Sequence, residues 1–166
     1  TIIYFQGILE EFSQHSTSFF GLMKKLDENF NTYVDKWNRV GIFLLNNDPD
    51  KALRWYLKLY EILKESEKLP SWRIPKGTPL HNVGVAYLIL KNKAKAEKFF
   101  RLAYIEDLIS DFCEKNSNSQ NLPAHRELKN LGIQENDLEE LNNLVANLVE
   151  KNKTIYLVPE NIALEY

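Results

Sequence analysis

The sequence predicts an all-α fold of stacked antiparallel helical hairpins, and three observations carry that expectation. Apolar residues recur at steps of three and four over most of the chain, which lines them up on one face of a helix. Glycine and proline, six of each in 166 residues, fall mostly between these periodic stretches. Between residues 79 and 103, small and large side chains are spaced as two closely packed helices require.

The first stripe runs Phe19, Leu22, Met23, Leu26, Phe30, Tyr33, Val34, Trp37 and Ile42, with Ser16 and Ser18 as candidate N-caps. It predicts either one long helix or two that break near residues 29–32. Asp48 and Pro49 then read as the N-cap and first position of the next helix, because proline's missing N–H costs nothing there. Its stripe is Ala52, Leu53, Tyr56, Leu57, Tyr60, Ile62 and Leu63, ending near Lys64. Three of the six prolines lie within 69–79, which predicts a loop, and Trp72 and Ile74 suggest that it packs on the body. A helix from Pro79 to about Lys91, a turn at 91–93 and a helix from Ala94 to about Phe112 come next. Residues 114–121 are polar and read as a loop. A short helix from Pro123 ends before Gly132 at its C′ position. The last helix is expected from Asn136 or Asp137, with Leu138, Leu141, Leu144, Val145 and Leu148 as its stripe.

Composition narrows the class. A chain with 44% hydrophobic and 12% aromatic residues is not disordered, and at this length it can bury a core. The formal charge of −2 gives no global reason to expect nucleic acid or an anionic membrane. The single cysteine, Cys113, excludes an intrachain disulfide and a cysteine-based zinc site, and its apolar surroundings in sequence predict buried filler. No apolar run approaches the roughly 20 residues that span a bilayer, and no signal pattern opens the chain, so a cytoplasmic setting is expected. Residues 4–7 match the tail of a commonly engineered protease site. Residues 1–7 are therefore read as a cleavage-site scar or N-terminal extension, 8–152 as the helical domain, and 153–166 as an extended C-terminal segment. Within that segment, residues 154–158 are a candidate short strand stopped by Pro159.

Gly84, Tyr87, Ala96, Phe100 and Ala103 fall at spacings of three, nine, four and three. These residues resemble the signature positions of the tetratricopeptide repeat, in which small residues face each other at a helix crossing and large ones fill the flanks. Upstream, Phe43, Ala52 and Tyr56 repeat part of the pattern, with Gly41 one residue out of register. The resemblance covers about residues 34–110, strongly in one repeat. It implies a right-handed stack of hairpins whose first helices line a concave, polypeptide-binding groove. On that register Trp37, Asn38, His81 and Asn82 face the groove, and asparagine there can hold a ligand's backbone because its amide both donates and accepts.

No catalytic constellation emerges, so the chain is not expected to be an enzyme. His15, His81 and His125 have no partners at metal-ligand spacing and read as surface or capping residues, so no metal or cofactor is expected. Arg73 and His81 are too far apart, and too interrupted by proline, for the arginine–histidine motif of helical nucleases. Residues 48–50 lack the remainder of a calcium loop, and Gly77 and Gly84 lack that of a phosphate loop. The acidic run Glu135, Asp137, Glu139 and Glu140 suits a helix start. Arg73, Lys76, Lys91, Lys93, Lys95, Lys98 and Arg101 form a basic concentration around the second hairpin. The leading expectation is a protein-interaction or scaffolding module for a protein or peptide partner. The alternative is a regulatory or nucleic-acid-associated helical domain of a larger prokaryotic defence-type effector. It is motivated by that basic hairpin, the methionine-less start and the strand-like end.

Overall fold

A computed structural model describes residues 30–65, 77–114 and 122–152. The expectations for residues 1–29, residues 69–76 of the proline-containing loop, the polar loop beyond Glu114 and the strand at 154–158 lie outside the described residues. Residues 77–79, expected at the end of the proline-containing loop, instead form the first turn of a helix, where Pro79 gives up no intrahelical hydrogen bond. Six helices make up the described part: α1 (Phe30–Asn47), α2 (Pro49–Glu65), α3 (Gly77–Ile89), α4 (Lys93–Glu114), α5 (Pro123–Asn130) and α6 (Glu135–Asn152). The all-α expectation holds. Each of α1 to α4 packs on the next, and α4 carries both α5 and α6. None of these helices is long and apolar enough to cross a membrane.

Local chemistry sets the turns. Asp48 caps α2 by accepting the Lys51 N–H at 3.1 Å, as Asn92 caps α4 by accepting that of Lys95 at 3.1 Å. At the end of α3 the Asn92 N–H reaches the Tyr87 carbonyl at 2.8 Å and the Lys91 N–H that of Leu88 at 2.9 Å. This is the Schellman arrangement, and it places Lys91 in the left-handed region at φ 59°. Gly132, at φ 98°, makes the corresponding turn after α5. The last helix starts at Glu135, slightly ahead of the expected residue, because Leu138 N–H already bonds the Gln134 carbonyl.

Both hairpins close on a glycine and an aromatic ring. A methyl group on Gly84 would lie 2.6 Å from Phe100 Cε1, and one on Gly41 would overlap the Tyr56 ring. The one-residue register shift of Gly41 is absorbed by the ring. Gly84 faces the edge of Phe100, whereas Gly41 faces the outer end of Tyr56, around Cζ and the hydroxyl. Ala52 and Ala96, one turn before these aromatics, are fully buried. Partner numbers fall along α4 as they rise along α3: Gly77 meets Asp107, Gly84 meets Phe100, and Tyr87 meets Phe99 and Lys95. The hairpin is therefore antiparallel.

Two apolar clusters follow. Trp37, Leu44, Ala52, Trp55, Tyr56, Leu59 and Val83 join α1, α2 and α3. A larger one centres on α4, where residues 102–106 are all buried, a mark of a helix enclosed on every side. Phe43 and Ile42 depart from the expected pattern. Both are about half exposed (53% and 52%), because the α1 face that meets α2 is set by Trp37, Gly41 and Leu44.

Gly84→Ala should destabilise the chain by about 1 to 2 kcal/mol in urea unfolding, since overlap with Phe100 outweighs the gain in helix propensity. In a Phe100→Leu background the same change should become neutral or stabilising. Equal costs in both backgrounds would rule out the glycine–ring contact as the cause.

Candidate functional site

Asn38 and Asn82 stand at matching places on α1 and α3, and a ring from α2 lies between them. The Tyr56 hydroxyl donates to the Asn38 carbonyl at 3.1 Å and is hydrogen-bonded by the Asn82 side chain. The Asn82 Oδ1 in turn lies 3.4 Å from His81 Nδ1. A polar chain therefore runs His81, Asn82, Tyr56, Asn38 across three helices. Burial pushes the Tyr56 phenol well above its ordinary range, with the Asn82 hydrogen bond opposing, so the hydroxyl keeps its proton. Burial likewise holds His81 below its usual value, against the Asn82 hydrogen bond and the Glu127 carboxylate, and the imidazole is neutral at pH 7.

Both ends of this chain carry a buried atom without a hydrogen-bond partner among the described residues, His81 Nε2 and Asn38 Oδ1. The nearest carboxylate to His81 Nε2, Glu127 Oε1, is 4.0 Å away, beyond hydrogen-bond range. With Nδ1–H turned to Asn82, Nε2 is an acceptor, so both ends offer lone pairs and call for donors.

Trp37 does not share this role. It is buried, its indole N–H donates to the Trp55 carbonyl at 3.2 Å, and Trp55 returns the bond to the Trp37 carbonyl at 3.0 Å. The rings lie 4.9 Å apart, so this pair clamps α1 to α2 and presents no groove surface. Tyr56 is the member that the stripe alone could not single out. Its signal is a hydroxyl at the position where the second hairpin carries Phe100.

Histidine 125 is not a surface residue either. It is buried beside Ala124 and Leu128 on the inner face of α5, with its ring 5.5 Å from Tyr104. Its Nε2 meets Glu135 Oε1 at 3.1 Å, and Lys129 pairs with the other carboxylate oxygen. Lys129 first, then the hydrogen bond from His125, hold Glu135 below the usual carboxylate range. This cluster ties α5 to the start of α6.

Of the basic concentration, Arg73 and Lys76 lie outside the described residues. Arg101 is bound through two nitrogens to Glu97, at 3.2 and 3.1 Å. Lys91, Lys93, Lys95 and Lys98 are exposed. Among the described residues no group of three or more histidine, cysteine or acidic side chains is placed to hold a metal ion.

On α4, Asp107 sits against Gly77 at the start of α3. Burial, then the neighbouring Glu106 and Asp111, push its carboxyl up to about 7. A raised folded value means that its stabilising contribution is complete below about pH 4 and is lost as pH rises through about 7. Asp107→Asn should therefore flatten that slope and make the chain more stable than the parent at about pH 8, read from urea midpoints at about pH 5 and pH 8. Parallel profiles would contradict this assignment. Comparisons with known protein families, with curated proteins and with solved structures find no match to this chain.

Proposed function

We propose that this chain is a polypeptide-binding module whose paired hairpins, tetratricopeptide-like in their packing, present Asn38, Asn82 and His81 to an extended segment of a partner. The supporting observation is the polar chain through Tyr56 that ends in two buried acceptors. A buried acceptor left unpaired costs about 1 to 3 kcal/mol, and a ligand that donates to it, once a turn of the half-buried side chain opens the atom, recovers that energy. Backbone N–H groups of an extended peptide are donors of the right kind, spaced along one line. On this reading the chain binds and does not catalyse.

A peptide-display library panned on the folded chain should enrich binders. Asn38→Ala with Asn82→Ala should weaken those binders about tenfold or more, the loss of one or two hydrogen bonds to buried amides, while leaving the helical circular dichroism signal in place. Binders that ignore both substitutions would remove the groove from the account.

A further inference from the structure

We propose that the α3–α4 turn is a second docking surface, and that its partner is an acidic, partly apolar polypeptide. The inference rests on the polypeptide-binding reading but uses none of the groove residues. Lys91, Lys93 and Lys98 are exposed and make no ion pair among the described residues, and Lys95 lies with its ammonium 5.4 Å over the Tyr87 ring. The acidic residue within this stretch, Glu97, is engaged by Arg101. The end of the hairpin therefore carries four lysine charges with no neutralising partner among the described residues.

The backbone adds an independent argument. Lys91 occupies the C′ position of a Schellman turn at φ 59°, a conformation that glycine adopts freely and a lysine does not. A lysine at a position where glycine would relax the backbone points to a use for that side chain. It projects from the turn between α3 and α4, beside Lys93 and two residues from Ile89, which is 47% exposed.

Two features favour an acidic polypeptide over a nucleic acid. Single-stranded nucleic acid binds through open aromatic faces on which bases stack. Here the Tyr87 ring is already stacked on Phe99 at 5.5 Å and has Lys95 over it. The exposed Ile89 beside the lysines instead matches a segment in which carboxylates alternate with apolar side chains.

The test is fluorescence anisotropy at low salt with a labelled peptide of glutamate and aspartate interspersed with leucine. Its controls are the glutamine and asparagine counterpart and an oligothymidine of similar length. The acidic peptide should bind best and weaken as salt rises. Changing Lys91, Lys93 and Lys98 together to Glu should reduce affinity about tenfold or more, and changing them to Gln should reduce it less. Lys91→Gly should weaken binding about twofold to threefold while raising Tm by about 2 to 4 °C. Asn38→Ala with Asn82→Ala should leave this affinity unchanged, so failure of the groove and failure of the turn are separately visible. No binding of the acidic peptide, indifference to the Gln variant, or tighter binding of oligothymidine would each overturn the proposal.

Discussion

Close approach of a glycine backbone to an aromatic ring is the constraint from which the rest of the structure follows. Gly84 against Phe100 and Gly41 against Tyr56 bring α3 to α4 and α1 to α2 at distances that any Cβ would prevent. The interior has no slack to redistribute such an overlap, because protein cores are packed like organic crystals. Once the two crossings are set, Ala52 and Ala96 are enclosed, Trp37 and Trp55 can exchange their indole hydrogen bonds, and α4 is buried along its middle. Close helix packing also places the Tyr56 hydroxyl within reach of both Asn38 and Asn82. The polar chain is therefore a consequence of a steric fit.

Polar groups in and near the interior are mostly answered locally. His125 is met by Glu135, which Lys129 also holds, and Tyr56 by Asn38 and Asn82. His81 and Asn38 differ, since each, like Ser110, keeps a buried atom with no hydrogen-bond partner among the described residues. Asp107 differs in another way, as burial first, and then its acidic neighbours, disfavour its charged form. The first pair motivates the binding proposal. Asp107 is a source of pH dependence in the fold.

Much of this architecture was legible in the residues. Asp48–Pro49 and Gly132 announced their turns because caps are local chemistry, and Gly84, Ala96 and Phe100 announced a crossing because their spacing has a steric meaning. The α3–α4 turn was harder to bound, since Lys91 adopts a conformation usually signalled by glycine. Burial of polar side chains was not legible. His125 looked like a surface or capping residue because the carboxylate that satisfies it comes from the next helix, and no periodicity encodes that meeting. Trp37 was expected in the groove on register alone, but its reciprocal bonds with Trp55 turn it into the core. Of the expected site, Asn38, His81 and Asn82 come together. Tyr56, which links them, carried only the faint signal of a hydroxyl where the second hairpin has none.

The central claim is that α1, α2 and α3 are coupled through the Tyr56 hydroxyl, so that the two asparagines form one site. A double-mutant cycle on unfolding free energy, with Tyr56→Phe and Asn82→Ala, measures that coupling directly. The account predicts an interaction energy of about 0.5 to 1.5 kcal/mol, the worth of one partly buried hydrogen bond. Strict additivity, to within about 0.3 kcal/mol, would mean that the two residues act independently and that the site does not exist as described.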